Sequence, residues 1–259
     1  MCIRDSANTD RDSYYGPGND PLKAYGKTTD LTAMGGAQYV HTFDKCFFMP
    51  SDLTAGLEYN RDRLKDNMWG YNRHTDQTVN IYSAFLQNEW KNDRWGILIG
   101  GRLDKHNMVD NVIFSPRANL RFNPTQNINL RLSYSSGFRA PQAFDEDMHI
   151  ENVGGTVAMI ERAKDLKEEK SQSFSVSADM YHRFGAFQTN LLIEGFYTRL
   201  TDVFVLGKPY DRGDGILVKT RSNGPGAKVM GLTLEGKVAY LSILQIQAGL
   251  TLQRSRYDE

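Results

Sequence analysis

The sequence predicts an all-β protein, an antiparallel up-and-down transmembrane β-barrel of which this chain carries about ten strands. Three observations predict it. Polar and apolar residues alternate with period two almost throughout, the connections between alternating segments are short and long in turn, and aromatic residues gather at the short ones.

The alternation is clearest where Ile128, Leu130, Leu132 and Tyr134 point one way and Asn129, Arg131, Ser133 and Ser135 the other. Pro116, Ala118, Leu120 and Phe122 keep the same beat against Arg117, Asn119 and Arg121. So do Phe174, Val176, Ala178 and Met180, and again Leu232, Leu234 and Val238. Strands are expected near 32–43, 52–65, 77–91, 95–106, 112–122, 128–137, 171–183, 187–206, 216–240 and 245–256. Within the ninth, Asn223-Gly-Pro-Gly226 predicts a bend or an intervening loop.

Short turns are expected at 49–52, 92–93, 123–126, around Gly185 and at 242–245, and longer connections at 66–76, 105–111, 138–170 and 207–226. A membrane barrel sorts its connections in this way, tight at one end and extended at the other. Phe43, Phe47 and Phe48 flank the first short turn, and Trp90 and Trp95 the second. Phe122 precedes the third, Phe184 and Phe187 bracket the fourth, and Tyr240 precedes the fifth. Aromatic rings suit a membrane interface because they tolerate hydrocarbon on one side and water on the other.

Composition narrows the function classes. Lys plus Arg balances Asp plus Glu at 31 each, which argues against a nucleic-acid partner. The two cysteines, Cys2 and Cys46, supply neither a disulfide scaffold nor a zinc module. No apolar run is long enough for a transmembrane helix, but a barrel strand meets lipid only at every second residue. Residues 1–6 lack a secretory signal, so an exported barrel requires a start further upstream. Residues 1–30, rich in Gly, Pro, Asp and Tyr, read as an extracellular loop or a non-native start, leaving 31–259 as the partial barrel.

No His-Glu-x-x-His, Gly-x-Ser-x-Gly or P-loop occurs, and His41, His74, His106, His149 and His182 have no ligand spacing. No catalytic residue, cofactor or metal site is therefore expected. Asp145-Glu-Asp-Met-His-Ile-Glu151 and Asp211-Arg-Gly-Asp-Gly215 read as a solvated loop and a turn before they read as cation sites. Trp69, Tyr71, Arg73 and His74 lie together in one expected external loop, and Tyr210 and Arg212 in another. Aromatics beside Arg suit a flat, anionic ligand, so these six are the candidate ligand contacts. Arg117, Arg121, Arg131, Glu58 and Glu235 read as lumen-wall charges.

The stretch from Phe114 through Gly137-Phe-Arg-Ala-Pro141 resembles the barrel of TonB-dependent outer-membrane receptors, in which a strand, a Pro-containing turn and a returning strand lead into "GFRAP" and a long loop. Phe196-Tyr-Thr-Arg-Leu-Thr-Asp202 followed by Gly231-Leu-Thr-Leu-Glu235 is similar to further hairpins of that family. The resemblance implies a 22-stranded barrel in the bacterial outer membrane, plugged by an N-terminal domain. It implies import of a small-molecule or metal-chelate ligand (siderophore, haem or cobalamin) driven by TonB. The sequence departs from the family in showing no plug, no TonB box and no terminal aromatic strand. About ten strands leave unpaired edges that lipid does not tolerate, so a larger barrel is expected. Two other readings stay open: a passive outer-membrane channel or structural barrel, and a soluble all-β carbohydrate-binding protein whose Leu130, Leu132, Leu232 and Leu234 pack a protein core.

Overall fold

The computed structural model describes residues 2–14, 25–69, 73–143, 151–153, 156–213, 217–241 and 243–258. The first seven strands are β1 (Cys2–Tyr14), β2 (Tyr25–Cys46), β3 (Met49–Met68), β4 (Arg73–Lys91), β5 (Trp95–His106), β6 (Ile113–Thr125) and β7 (Ile128–Arg139). Two short strands, β8 (Glu151–Val153) and β9 (Thr156–Arg162), precede β10 (Glu169–Phe184) and β11 (Phe187–Thr201). Three more short strands follow: β12 (Phe204–Leu206), β13 (Tyr210–Asp211) and β14 (Leu217–Asn223). The chain ends in β15 (Ala227–Tyr240) and β16 (Leu244–Tyr257).

Eleven of these strands form one sheet in the order β1-β2-β3-β4-β5-β6-β7-β10-β11-β15-β16, every neighbour antiparallel. The short turns lie at one end of the sheet and the other connections at the opposite end, as the sequence predicts, but the connection expected at 66–76 is mostly strand, with only 69–72 between β3 and β4. The second sheet, β12-β14-β9-β8 with β13 on β14, is built wholly from the long connections after β7 and after β11.

Three further expectations are corrected. Residues 2–14 and 25–30, expected within a loop, are strand: β1 pairs with β2 from Cys2↔Ala37 to Tyr14↔Tyr25. Backbone pairing needs no hydrophobic alternation, so composition concealed it. The segment 187–206 stops at Thr201, where Asp202 takes a left-handed backbone (φ 54°) and turns the chain out of the sheet. The segment 216–240 divides at the Gly-Pro-Gly interruption, β14 joining the second sheet and only β15 the main one.

Pairing carries the alternation across the sheet in rows. One row runs Leu120–Leu132–Val176–Gly195–Leu232–Leu252 and its neighbour on the other face Arg121–Arg131–Ser177–Glu194–Thr233–Thr251. The apolar face is bare: Leu132, Val176 and Leu252 are 51%, 59% and 58% exposed. A patch that large is incompatible with water and suits hydrocarbon. The polar face is the inner one, because the second sheet is tied to it: Arg162 of β9 donates to Gln77 of β4 at 2.9 Å.

Aromatic bands bound the apolar face. At the short turns Phe48 stacks on Trp90 (5.7 Å), Trp95 on Phe122 (4.2 Å), and Phe187 lies between Phe184 (5.6 Å) and Tyr240 (5.0 Å). A second band, not expected from the sequence, holds Tyr59 against Tyr82 (4.9 Å) and Tyr134 against Phe174 (4.7 Å). Phe174 and Phe184 are ten residues apart on β10. That is about 33 Å of strand, or about 25 Å of height at a tilt of about 40°, which matches the apolar band of a membrane barrel. β2, β3 and β4, at 22, 20 and 19 residues, outrun the span and project beyond it at the long-loop end.

Leu132→Arg is expected to destabilise the membrane-inserted parent protein by about 2–4 kcal/mol, while Ser133→Arg one position along, on the inner face, changes stability by well under that. Urea unfolding in lipid vesicles measures the difference; equal costs at the two positions contradict the assignment of faces.

Candidate functional site

The inner wall becomes a site where the long connections close over it. Across β3, β4 and β5, Glu58, Ser83 and Asp104 form one inward row. Arg102, on the same face, reaches all three: Glu58 at 2.6 Å, Asp104 at 2.8 Å and the Ser83 hydroxyl at 2.7 Å. Ser83 in turn donates to Asp104 at 2.6 Å. The Arg102 charge is held by carboxylates on β3 and β5 and by a hydroxyl on the intervening β4, so the wall is polar yet rigid.

Above this row the wall is covered. His106, fully buried, accepts the Met108 N–H at Nδ1 (3.0 Å), which places its own proton on Nε2, 3.3 Å from the Gln142 carbonyl oxygen. Gln77 accepts both the Ala143 N–H (2.8 Å) and Arg162, and Arg162 also donates to the Pro141 carbonyl (2.9 Å). The segment Gly137 to Pro141 stands at this junction. Phe138 packs against Val109, Ile113 and buried Ala140, and the Arg139 guanidinium lies 5.6 Å from the Phe204 ring centre. Phe138, Arg139, Ala140 and Pro141 thus anchor the departure of the long loop from β7.

The two long connections are also joined to one another. β9 and β14 pair in parallel from Leu217↔Ala158 to Arg221↔Arg162. Asn223, the first residue of the sequence interruption, donates to the carbonyls of Lys167 (3.1 Å) and Asp202 (2.8 Å) and accepts the Lys167 N–H (2.8 Å). Glu169 accepts the Phe204 N–H at 2.9 Å. Together these contacts make a second layer over the polar wall.

The sequence-predicted ligand contacts do not form one cluster. Trp69 is 51% exposed at the tip of the β3–β4 connection, and Tyr71 lies outside the described residues. Arg73 is committed to the wall: it meets Asp66 at 2.7 Å, with side chains 12% and 3% exposed, while Thr28 also donates to Asp66 at 2.7 Å. His74 faces the other side, 3.0 Å from Asn67. Tyr210 is 49% exposed on β13, and Arg212 lies 3.9 Å from Glu161. The acidic loop 145–151 falls outside the described residues apart from Glu151, and 211–215 is described only as far as Gly213, at φ 100°. Among the described residues no group of three or more His, Cys, Asp or Glu is placed to hold a metal ion. Sequence reasoning missed Gln77, Arg102 and Arg162; Gln77 and Arg162 are 85 residues apart and nothing local marks them as partners.

The sequence profile described as TonB dependent receptor-like, beta-barrel matches residues 4–259. The chain belongs to that family. Its fold is similar to the siderophore receptor PirA from Pseudomonas aeruginosa, with a TM-score of 0.75 at 16% identity over 99% of this chain and 50% of that one. It is also similar to the ferric enterobactin receptor PfeA of the same organism (TM-score 0.71, 19% identity, 97% of this chain and 40% of that one). A curated Haemophilus influenzae protein named "Probable hemoglobin and hemoglobin-haptoglobin-binding protein 3" is 23% identical over 206 residues, 78% of this chain and 18% of that protein. The chain spans half or less of the length of these relatives. The family is one of receptors and transporters of the bacterial outer membrane, and the apolar face, paired aromatic bands and sorted loops of this receptor barrel are what that location demands.

Two outcomes follow for the parent protein. Arg73→Leu is expected to cost about 3–5 kcal/mol, because it strands the buried Asp66 carboxylate, and Arg73→Lys less; denaturant unfolding in detergent measures both. Gln77→Leu removes the acceptor shared by Ala143 and Arg162, so limited proteolysis is expected to cut within 139–169 several-fold faster while the barrel stays resistant.

Proposed function

We propose that the chain is the barrel part of an active importer in the bacterial outer membrane, which takes up a scarce small-molecule or metal-chelate ligand through a plug domain and TonB. The observation that carries this reading is the second sheet, woven from two long connections and fastened to the polar wall through Arg162 and Gln77. A barrel mouth roofed by its own loops favours capture and gated passage over free diffusion. The relatives carry names that refer to siderophores, ferric enterobactin and haemoglobin, which supports an iron chelate or haem as the ligand class.

Exposed Trp69, Tyr210 and Arg212, with Tyr71, are the proposed ligand contacts, since stacking and a guanidinium suit a flat anion. Arg73 serves as a positioning residue for the β3–β4 tip, and His74 as part of its outer side. No catalytic role is proposed for any residue.

Uptake of labelled iron chelates and haem by cells producing the parent protein tests the reading. It is expected to fall to background when TonB is removed, and the paired substitution Tyr210→Ala/Arg212→Ala is expected to weaken ligand binding about tenfold. Uptake that proceeds without TonB identifies a passive channel instead.

A further inference from the structure

The roof meets the wall at a titratable side chain. His106 closes β5 one residue past the row of Tyr82 and Lys105, so it stands just beyond the upper aromatic band, on the inner face and fully buried. Both its ring nitrogens are engaged, with opposite polarity. Nδ1 accepts the Met108 N–H at 3.0 Å, in the turn that follows β5, and Nε2 donates to the Gln142 carbonyl oxygen at 3.3 Å, in the connection that leaves β7. The neutral imidazole therefore joins these two segments, which meet again where Val109 packs with Phe138 and Ala140.

A second proton breaks this arrangement. An imidazolium has two donors and no acceptor, so its Nδ1–H would face the Met108 N–H. The surroundings do little for the charge. Ile81 stands opposite His106 on β4, and Ile113 faces the adjoining Asp104 from β6. Asp104 is 2.8 Å from Arg102 and accepts from Ser83, so its carboxylate is already engaged. Lys105 is held by the Val109 and Asp110 carbonyls at 3.1 and 2.6 Å. On the roof side the charges are cations, Arg139 against Phe204 and Arg162 against Gln77 and Pro141. Burial holds the imidazole below its usual range, against an upward pull from Gln142 and Asp104.

We propose that His106 is a proton-operated latch: neutral, it holds the 138–143 connection on the inner wall, and protonated, it releases that connection and uncovers the wall beneath. The latch rests on the roof itself and not on the solute carried, so a failure of TonB-driven uptake leaves it standing. Its sign follows from linkage. In the open state the imidazole is solvated and takes its proton near its ordinary pKa of about 6.5, whereas the closed state resists it. Closure is therefore strongest above about pH 6.5 and weakens by up to about tenfold per unit below it. Asp62 on β3, three residues beyond Tyr59, acts the other way: burial and the neighbouring Asp30 push its carboxyl up to about 6. A raised carboxyl favours the folded wall in acid, so a loss of closure on acidification cannot come from Asp62.

Hydrogen exchange of the purified full-length parent in detergent, read by mass spectrometry and divided by the intrinsic exchange rate at each pH, tests the latch. It follows the Met108 and Ala143 amides, which donate to His106 and Gln77. Their protection is expected to be constant between about pH 8 and 7 and to fall about tenfold between about pH 6 and 5, while amides of the β3–β4 ladder keep theirs. His106→Gln, whose carbonyl can still accept the Met108 N–H, is expected to abolish the fall. Gln142→Glu, which sets a carboxylate before Nε2, is expected to move it about one pH unit lower. That variant decides the matter if His106→Gln loses the heat-resistant gel mobility of a folded barrel. Protection independent of pH in the parent, a fall that persists in folded His106→Gln, or an unmoved fall in Gln142→Glu overturns the latch.

Discussion

Hydrocarbon offers no partner to a backbone N–H or C=O, and each one left unpaired there costs several kcal/mol. The eleven-stranded sheet answers this by pairing every interior strand with a neighbour on each side, from the β2–β3 ladder to the β15–β16 ladder. Continuous pairing then dictates the side chains. Because residues directly opposite share a face, the two-residue beat of one strand propagates across all its neighbours, and Leu120 on β6 stands in line with Leu252 on β16 five strands away. The outer edges of β1 and β16 remain open within this chain.

The same constraint releases the chain above the membrane. Once a strand has passed the upper aromatic band, water satisfies its backbone and irregular structure becomes affordable. There β2, β3 and β4 run on past the span, Asp202 adopts a left-handed turn, and the connections after β7 and β11 weave the second sheet. Burial follows the same division. The large covered side chains Met68, His106, Met159 and Val218 lie where loops meet wall or one another, not beneath the apolar face. This protein has its packed core at the mouth, and lipid takes the place of a core elsewhere.

The two faces of the sheet are satisfied in different ways. Inside, the Glu58–Ser83–Asp104 row held by Arg102 gives a polar wall whose charges are already satisfied, so the wall needs no ligand to be stable. The Gly137–Pro141 element earns its position mechanically: Phe138 and Ala140 anchor into the small cluster around Val109 and Ile113, and Pro141 offers its carbonyl to Arg162. Outside, charge begins at the level of the upper aromatic band with Arg254, and the next row carries Arg199, Lys228 and Arg256.

The sequence by itself determined the ten alternating strands, their antiparallel order, the sorting of turns from loops and the lower aromatic band, because each is a local property: a strand's two faces and a turn's composition are written within a few residues. "GFRAP" was legible too, as a motif without a stated mechanism. The tertiary structure alone decided what depends on register and on distant partners. β1 was hidden because its partner's backbone, not its own pattern, makes it a strand. The upper band and the basic rows appeared only when pairing placed Tyr134 beside Phe174 and Arg199 beside Lys228. Arg73 looked like a ligand contact until Asp66 was found beneath it, and Gln77 looked like nothing until Arg162 arrived from 85 residues away. Alternation tells which face a residue takes; only the folded sheet tells what waits there.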